Sequence, residues 1–253
     1  MAVIWSSFVV IVLAQYIIHR MFWKNKYNFK GKHVLITGGS KGIGYAIACA
    51  CVKKGCKVTI LARSRGDLEK AAKNLHSIEY SYPNGGSNVR YYVADTTDTE
   101  QLQKAIADAE VDNGPIDIAT CNAGLSIPKL CTQTSMEEYE QQVNVNYLGT
   151  VRTVKSVLPG MLKRKSGHII LVSSVVGVLG FAGYSSYAPT KWAIRGFADC
   201  LHNEVRHLYY FVRDVQILGS YCILLFLVHA ASRNWCQNMH RLSSRHRYSW
   251  FRD

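Results

Sequence analysis

Strand patterns and helix patterns alternate along this chain from residue 32 onwards, and this alternation constrains the fold more than any other feature. Short apolar runs rich in β-branched residues predict strands at residues 32–39, 56–64, 88–98, 116–124 and 167–174. Helical patterns lie at residues 43–55, 66–78, 99–114 (with Thr99 as N-cap) and 136–164, and a further helix begins in residues 183–197. Such alternation implies right-handed crossovers between parallel strands. We therefore predict a doubly wound α/β fold, with helices on both faces of a parallel sheet.

The charge of the chain is concentrated at its two ends. The net charge is +13 over 253 residues; residues 1–32 carry +5 and residues 232–253 carry +4, which leaves +4 for the middle. A nucleic-acid-binding domain is expected to show a basic stripe with interleaved aromatic residues, and the middle has none. The eight cysteines show no C-x-x-C pair or other metal-binding spacing. We therefore expect reduced thiols, no metal site and no nucleic-acid partner.

The amino terminus predicts a membrane anchor. Residues 2–18 form a run of 17 without a charge, at the short end of what a spanning helix requires. The cations follow this run, unlike the arrangement in a cleavable signal peptide, and they hold the following domain in the cytosol. A buried amphipathic helix is the alternative, which the lack of a polar stripe at helical spacing disfavours.

A glycine-rich loop, TGGSKGIG, lies where the first predicted strand turns into the first predicted helix. Glycines at this point let the backbone approach a pyrophosphate, and the amide end of the helix favours its negative charge. The pattern is weak alone, but its place between a strand and a helix predicts a dinucleotide site. The candidate cofactor-binding residues of the loop are Gly38, Ser40, Lys41, Gly42, Ile43 and Gly44.

The end of the second strand indicates which nicotinamide cofactor binds. Ala62 stands where an acidic residue would hold the ribose 2′-hydroxyl, and Arg63 follows it. Arg63 and Lys41 are candidates to pair with a 2′-phosphate, which points to NADPH; solvated surface cations are the alternative. Asp95, at the end of the third strand, is a candidate acceptor for the adenine amino group, although a turn-capping role is equally consistent with its position.

Tyr187 precedes Lys191 by four residues in the run GYSSYAPTKWAIRGF. On a helix this spacing places both side chains on one face, close enough for an ammonium to act on a phenol. The ammonium is expected to favour the phenolate, whose ordinary pKa lies near 10. Because such pairs also arise by chance, the surrounding motifs decide what this one means.

The motifs together resemble the short-chain dehydrogenases/reductases over about residues 31–205. That family shares a T-G-x-x-x-G-I-G loop, an N-A-G turn, a serine about thirteen residues before a tyrosine, and a Y-x-x-x-K pair. Here these are residues 37–44, Asn122 to Gly124, Ser174, and Tyr187 with Lys191. The resemblance implies a Rossmann-like fold and an NADPH-dependent oxidoreductase.

The resemblance also implies a role for each candidate catalytic residue. Tyr187 would protonate the substrate oxygen, and Lys191 would hold the nicotinamide ribose. Ser174 would donate a hydrogen bond to the developing oxyanion, with a share for Ser173 left open. Asn146, in VNVNYLGT, matches the helix asparagine that supports a water-linked proton path. Asn122 joins the cofactor site through the N-A-G turn.

Within this family the chain most resembles the anchored reductases of sphingoid-base synthesis, whose substrate is a long-chain 2-amino-3-ketone. Retinoid, steroid and fatty-acyl ketones are alternative lipid substrates. The same resemblance implies residence in the endoplasmic reticulum membrane with the catalytic domain facing the cytosol. It also implies a homodimer that pairs through helices at about residues 136–164 and 187–205.

Two departures from the family pattern qualify these expectations. Cys121 replaces the first asparagine of N-N-A-G, which loses an amide that would help to hold that turn. After about Gln216 the proline/glycine closing segment of the family pattern is absent. Residues 217–231 are apolar instead, a pattern consistent with a strand, a re-entrant segment or a short membrane helix. A catalytically silent nucleotide-binding product of an altered transcript is therefore the alternative function. We divide the chain into an anchor (1–30), a reductase domain (31–216) with its last strands in doubt, and an atypical tail (217–253).

Overall fold

Six strands lie side by side in one parallel sheet, in the order β3-β2-β1-β4-β5-β6. The computed structural model describes residues 28–80, 89–208 and 214–218. The strands are β1 (His33–Thr37), β2 (Lys57–Ala62), β3 (Val89–Val93), β4 (Ile118–Cys121), β5 (His168–Val172) and β6 (Asp214–Leu218). The doubly wound parallel sheet predicted from the alternating patterns is confirmed. The sixth strand, which the sequence left in doubt, pairs with β5 along its whole length.

Six α-helices connect or follow the strands in the described residues. They are α1 (Gly42–Lys53), α2 (Arg65–Tyr80), α3 (Thr99–Asn113), α4 (Met136–Gln142), α5 (Gly149–Arg164) and α6 (Ala188–Leu208). The chain moves from β1 towards one edge of the sheet through β3, and then from β4 towards the other edge. Right-handed crossovers in opposite directions place α1 and α2 on one face and the later helices on the other.

The core fills the space between the sheet and these helices. On one face, strand residues Leu35, Ala119 and Leu171 pack with helix residues such as Met161 of α5 and Ile194 of α6. Because side chains alternate along a strand, the neighbours of these strand residues face α1 and α2. All five residues of β1 are buried, as expected for the central strand of a sheet covered on both sides.

The helix predicted over residues 136–164 is present, but it is not a uniform α-helix. Between α4 and α5, Val143–Leu148 forms a wider π-helical segment. Such segments are rare and are frequent at functional sites. Ser135 and Glu138 form a capping box that fixes the start of this long helix.

One predicted cap is wrong. Thr99 is the first residue of α3, and Asp98 before it is the N-cap, because its carboxylate accepts a hydrogen bond from the backbone N–H of Gln101 at 3.0 Å. A carboxylate at this position satisfies an unpaired amide and also interacts favourably with the positive end of the helix.

The predictions for the two ends of the chain fall mostly outside the described residues. Residues 28–30 belong to a separate unit from the sheet domain that begins at Gly31. The apolar run at residues 2–18 and the tail after residue 218 lie outside the described part. Within the described part, no helix is both long enough and apolar enough to cross a membrane.

Candidate active site

A cavity of about 470 Å³ opens at the carboxyl ends of the central strands. It lies beside the junction of β1 and β4, where the direction of chain progression reverses. Open parallel sheets bind ligands at such a switch point. Its walls come from the loop after β1, the ends of β2 to β5 and the beginning of α6.

The cavity collects most of the residues predicted for the site. Those that line it are Gly38, Ser40, Lys41, Ile43, Arg63, Asp95, Asn122, Ser174, Tyr187 and Lys191. Gly42 and Gly44 lie just behind the lining, in the first turn of α1, and Asn146 is fully buried next to it. Among the described residues, no three His, Cys, Asp or Glu side chains come together in a group that could hold a metal ion.

The glycine loop leaves room for a ligand against the backbone. Gly38 has a φ of +66°, a conformation that glycine adopts without strain. A Cβ on Gly44 would collide with the carbonyl oxygen of Gly38 and would lie 2.5 Å from Nδ2 of Asn122. Lys41 is the N-cap of α1 and makes no side-chain capping bond, so the first amides of the helix remain available to an anion.

The N-A-G turn is tied to the glycine loop by side-chain hydrogen bonds. The hydroxyl of Thr37 accepts from the backbone N–H groups of Asn122 and Ala123, each at 3.1 Å. In return, Nδ2 of Asn122 donates to the carbonyl oxygens of Thr37 at 3.1 Å and Gly38 at 3.2 Å. Cys121, which directly precedes this turn, belongs to the core, where burial raises the pKa of its thiol to about 12.

Each cation predicted to hold a 2′-phosphate has a carboxylate partner. Lys41 Nζ lies 3.3 Å from Asp67 Oδ2, and Arg63 lies 4.0 Å from Asp95 Oδ2. The other oxygen of Asp95 accepts from the amide and the hydroxyl of Thr97, each at 2.9 Å. The turn-capping role of Asp95 is thus present, and its second oxygen stays on the cavity side with Arg63.

Lys191 is close to Tyr187, but its effect differs from the one expected. Its Nζ lies 5.6 Å from the centre of the Tyr187 ring and donates to the carbonyl oxygen of Val172 at 2.9 Å. Burial lowers the pKa of Lys191 to about 8. The pKa of Tyr187 is raised rather than lowered, chiefly by burial, which outweighs the opposing hydrogen bond with Ser174. The prediction that the neighbouring ammonium lowers the pKa of Tyr187 is therefore wrong.

The two neighbouring serines have different environments. Ser173 is buried, and its hydroxyl donates to the backbone carbonyl of Lys191 at 3.1 Å. Ser174 accepts from the amide of Val176 at 3.4 Å, and its hydroxyl lowers the pKa of Tyr187. Both serines line the cavity, and the role of Ser174 as the working serine stays a prediction.

Asn146 connects three parts of the site from inside the π-helical segment. Its Oδ1 accepts from the amide of Leu125 at 2.8 Å, and its Nδ2 donates to the Leu125 carbonyl at 2.9 Å. The same Nδ2 donates to Thr190 Oγ1 at 3.1 Å, and that hydroxyl donates to the Tyr187 carbonyl at 2.7 Å. One turn earlier, Gln142 accepts from the amide of Ile127 at 3.1 Å.

Three residues of the site were missed by the sequence reasoning. Thr190 directly precedes Lys191, and its place inside the Y-x-x-x-K motif could have drawn attention to it. Gln142 stands four residues before Asn146, the spacing of one helical face. Asp67 lies in the predicted second helix, four residues after Arg63. An acidic residue so close to a predicted phosphate-binding cation could have drawn attention to it.

Residues 32–216 match the family model described as short chain dehydrogenase. The chain belongs to this family. The match covers β1 to β5 and the beginning of β6, and it includes the glycine loop, the N-A-G turn and the Tyr187–Lys191 pair.

Individual proteins similar to this chain include two reductases and one solved dehydrogenase. The 3-ketodihydrosphingosine reductase of Bos taurus is 34% identical over 204 residues, which cover 79% of this chain and 60% of that protein. The 3-dehydrosphinganine reductase of Danio rerio is 32% identical over 207 residues, 81% of this chain and 62% of that protein. The chain thus spans about 60% of the length of these curated relatives. The solved alcohol dehydrogenase of the archaeon Thermococcus sibiricus, complexed with 5-hydroxy-NADP, is 30% identical with a TM-score of 0.65 and 74% coverage of both chains.

Proposed function

We propose that this chain is an NADPH-dependent reductase that converts 3-ketodihydrosphingosine to dihydrosphingosine in sphingolipid synthesis. The observation that carries the reaction class is the grouping of Ser174, Tyr187 and Lys191 in the cavity that the glycine loop also lines. The substrate is supported by the names of the relatives that are 32 to 34% identical to this chain. Leu179 and Phe181, each more than half exposed a few residues after Ser174, support a substrate with an apolar chain.

The residues around the cavity fit a nicotinamide dinucleotide. A backbone cradle that a Cβ at Gly44 would fill, beside the amide end of α1, suits a pyrophosphate. Lys41 and Arg63 would hold the 2′-phosphate, and Asp95 and Asn122 would lie along the adenosine. Lys191 would hold the nicotinamide ribose. Bound NADPH would supply the hydride that reduces the substrate carbonyl carbon.

The side chains of the chain itself supply the proton and the hydrogen bonds of the reaction. Tyr187 donates its phenolic proton to the substrate oxygen as negative charge develops there. Because burial raises its pKa above the ordinary value near 10, the phenol is protonated at neutral pH, the form that ketone reduction requires. Ser174 donates a hydrogen bond to the same substrate oxygen and stabilises it.

Asn146 acts through the residues that it holds. Its amide fixes the loop after β4 at Leu125, and through Thr190 it fixes the backbone of Tyr187. The Asn146–Thr190 bond is buried, so water does not compete for it. This rigidity keeps the proton donor at a fixed position relative to the substrate carbonyl. We assign to the same residue the support of the water-linked path that resupplies the proton.

The proposal extends to the location and assembly of the protein. A lipid ketone dissolves in membranes, so an anchor formed by residues 1–30 would keep the reductase domain (31–216) near its substrate, on the cytosolic side of the endoplasmic reticulum. Two copies would pair through the helices at about residues 136–164 and 187–205. Trp192 and Leu148, large apolar residues that are exposed on α6 and beside α5, support this pairing.

The decisive experiment is turnover by the full-length chain in detergent. NADPH consumption with 3-ketodihydrosphingosine, together with detection of dihydrosphingosine, would support the proposal. Turnover of a retinoid, steroid or fatty-acyl ketone in its place would keep the reaction class and reject the substrate. Soluble, monodisperse protein that binds NADPH but reduces none of these ketones would favour a catalytically silent nucleotide-binding protein.

Replacing Arg63 with aspartate is expected to move cofactor preference from NADPH towards NADH by about tenfold or more. The substitution removes a cation that pairs with the 2′-phosphate and adds a carboxylate that can accept from a ribose 2′-hydroxyl. The measurement is the rise in unfolding temperature produced by each cofactor at equal concentration. An unchanged ratio of NADPH to NADH protection would show that the 2′-phosphate binds elsewhere.

The two neighbouring serines offer a matched pair of substitutions. Ser174→Ala is expected to lower kcat by about 10²- to 10³-fold, because it removes a hydrogen bond to the developing oxyanion. Ser173→Ala removes a buried hydrogen bond to the Lys191 carbonyl, so it should cost about 1 kcal/mol of unfolding free energy and change kcat little. Saturating turnover and thermal unfolding of both variants test this division. Equal losses of kcat would contradict it.

A further inference from the structure

The adenosine end of the cavity contains an acidic side chain that cofactor binding does not require. Asp67 lines the cavity together with Lys41, Arg63 and Ser64. Its Oδ2 lies 3.3 Å from Lys41 Nζ, and the two side chains are 40% and 80% exposed. Lys41, a cation available to a 2′-phosphate, therefore already has an anionic partner.

A purely structural role for Asp67 does not account for this contact. Asp67 lies in the first turn of α2, where its backbone N–H donates to the hydroxyl of Ser64 at 3.3 Å. An acid at the beginning of a helix is favourable in itself. A helix-start role explains the bond with Ser64 but not the ion pair between the carboxylate and Lys41 of the glycine loop.

Glu69, two residues further along the same helix, provides a contrast. Its carboxylate lies 3.9 Å from Arg65 on its own helix, and it does not line the cavity. Both acids are exposed, and both pair with a cation. Only Asp67 pairs with a cation that belongs to the glycine loop.

We propose that Asp67 is a specificity-determining residue that weakens the preference for NADPH by competing with the 2′-phosphate for Lys41. This inference rests on the proposed 2′-phosphate site at Lys41 and Arg63. A 2′-phosphate that binds there must share Lys41 with the Asp67 carboxylate and also meets the repulsion of a like charge. NADH carries a hydroxyl in place of this phosphate, so its binding leaves the Lys41–Asp67 pair intact.

The size of the effect follows from the exposure of the pair. Ion pairs between exposed side chains contribute little, and removal of this competitor should improve NADPH binding by about two- to fivefold. Salt screens charges that are exposed to water, so the improvement should shrink at about 1 M salt, where the screening length falls to about 3 Å. The effect on NADH should be negligible under both conditions.

The experiment is a titration of the full-length Asp67→Asn protein with NADPH and with NADH, followed by the change in cofactor fluorescence. Glu69→Gln is the matched control, since it removes one negative charge from the same helix outside the cavity. We expect the Kd for NADPH to fall two- to fivefold in Asp67→Asn, and no fall for NADH or in the control. A binding probe of 2′,5′-ADP, which carries the phosphate without nicotinamide, should follow NADPH.

Several outcomes would overturn the inference. Equal changes for NADPH and NADH would show that Asp67 acts only on the start of α2. An equal gain in Glu69→Gln would show that only overall charge matters. Unchanged affinity for NADPH would show that the carboxylate does not compete. If Asp67→Asn unfolds at a lower temperature than the parent, Asp67→Ser, which also offers an oxygen in the first turn, gives the second test.

Lys41→Ala separates this inference from the proposed cofactor site. Weaker NADPH binding in Lys41→Ala, with unchanged binding in Asp67→Asn, would reject the competition and keep the site. Unchanged NADPH binding in Lys41→Ala would reject Lys41 as a ligand of the 2′-phosphate, and the role of Asp67 would fall with it.

Discussion

Tyr187→Phe is expected to lower kcat for ketone reduction by about 10²- to 10⁴-fold while NADPH continues to protect the protein from unfolding. The substitution removes one oxygen atom, the one that carries the proton to the substrate. The ring stays, so its packing beside Lys191 should survive. Turnover at saturating substrate measures the loss, and cofactor-dependent thermal protection shows that the site remains formed.

Tyr184→Phe is the matched control for this substitution. Its ring centre lies 6.2 Å from that of Tyr187, in the same turn-rich stretch before α6. The substitution removes the same group, a phenolic hydroxyl, from a tyrosine that has no assigned part in proton transfer. We expect Tyr184→Phe to keep kcat within a few-fold of the parent. Substantial turnover in Tyr187→Phe would mean that another group supplies the proton.

Gly44→Ala is expected to abolish cofactor protection and to destabilise the protein. The added methyl would collide with the carbonyl oxygen of Gly38 and would lie 2.5 Å from Asn122 Nδ2. Because the carbonyl oxygen belongs to the backbone, a change of side-chain rotamer cannot relieve this collision. Overpacking of this kind costs typically about 1–3 kcal/mol of unfolding free energy. The displaced loop would also lose the space in which the pyrophosphate is expected to lie. Chemical denaturation and NADPH titration measure the two effects.

Gly66→Ala provides the contrasting substitution within a helix. Gly66 lies in α2, and a Cβ there meets nothing within 4 Å. Alanine is a better helix former than glycine by up to about 1 kcal/mol, so this variant should be as stable as the parent or slightly more stable. Similar losses in both variants would show that the glycine loop has no special steric requirement.

The fold could be predicted because strands and helices leave different patterns of apolar residues in the sequence. Buried strands such as β1 and β2 are continuous apolar runs, and the helices between them show their own period, so the order of elements follows directly. Exact boundaries were less certain: Asp98 and Thr99 are both good capping residues, and only the backbone conformation decides which of them caps α3. The glycine loop was recognised because its glycine spacing and its place between a strand and a helix both indicate a dinucleotide site.

The electrostatics of the site could not be read from spacing alone. The four-residue spacing placed Lys191 near Tyr187, but the pKa of each group depends on burial, which the spacing does not report. Whether Lys41 is free or paired depends on Asp67, which reaches it from a different helix. The different hydrogen-bond partners of Ser173 and Ser174 were accessible in part, since successive residues of an extended segment point to opposite sides.

The π-helical segment at Val143–Leu148 changes how residues four apart line up along this long helix. In an α-helix, residues four apart overshoot a full rotation by about 40°, so a row of such residues winds gradually away from any fixed line. A wider turn undershoots instead and cancels part of that drift. Gln142, Asn146 and Thr150 follow one another at this spacing, and all three are buried. The residue that ties Leu125 to Thr190 thus lies where the long helix departs from regular geometry.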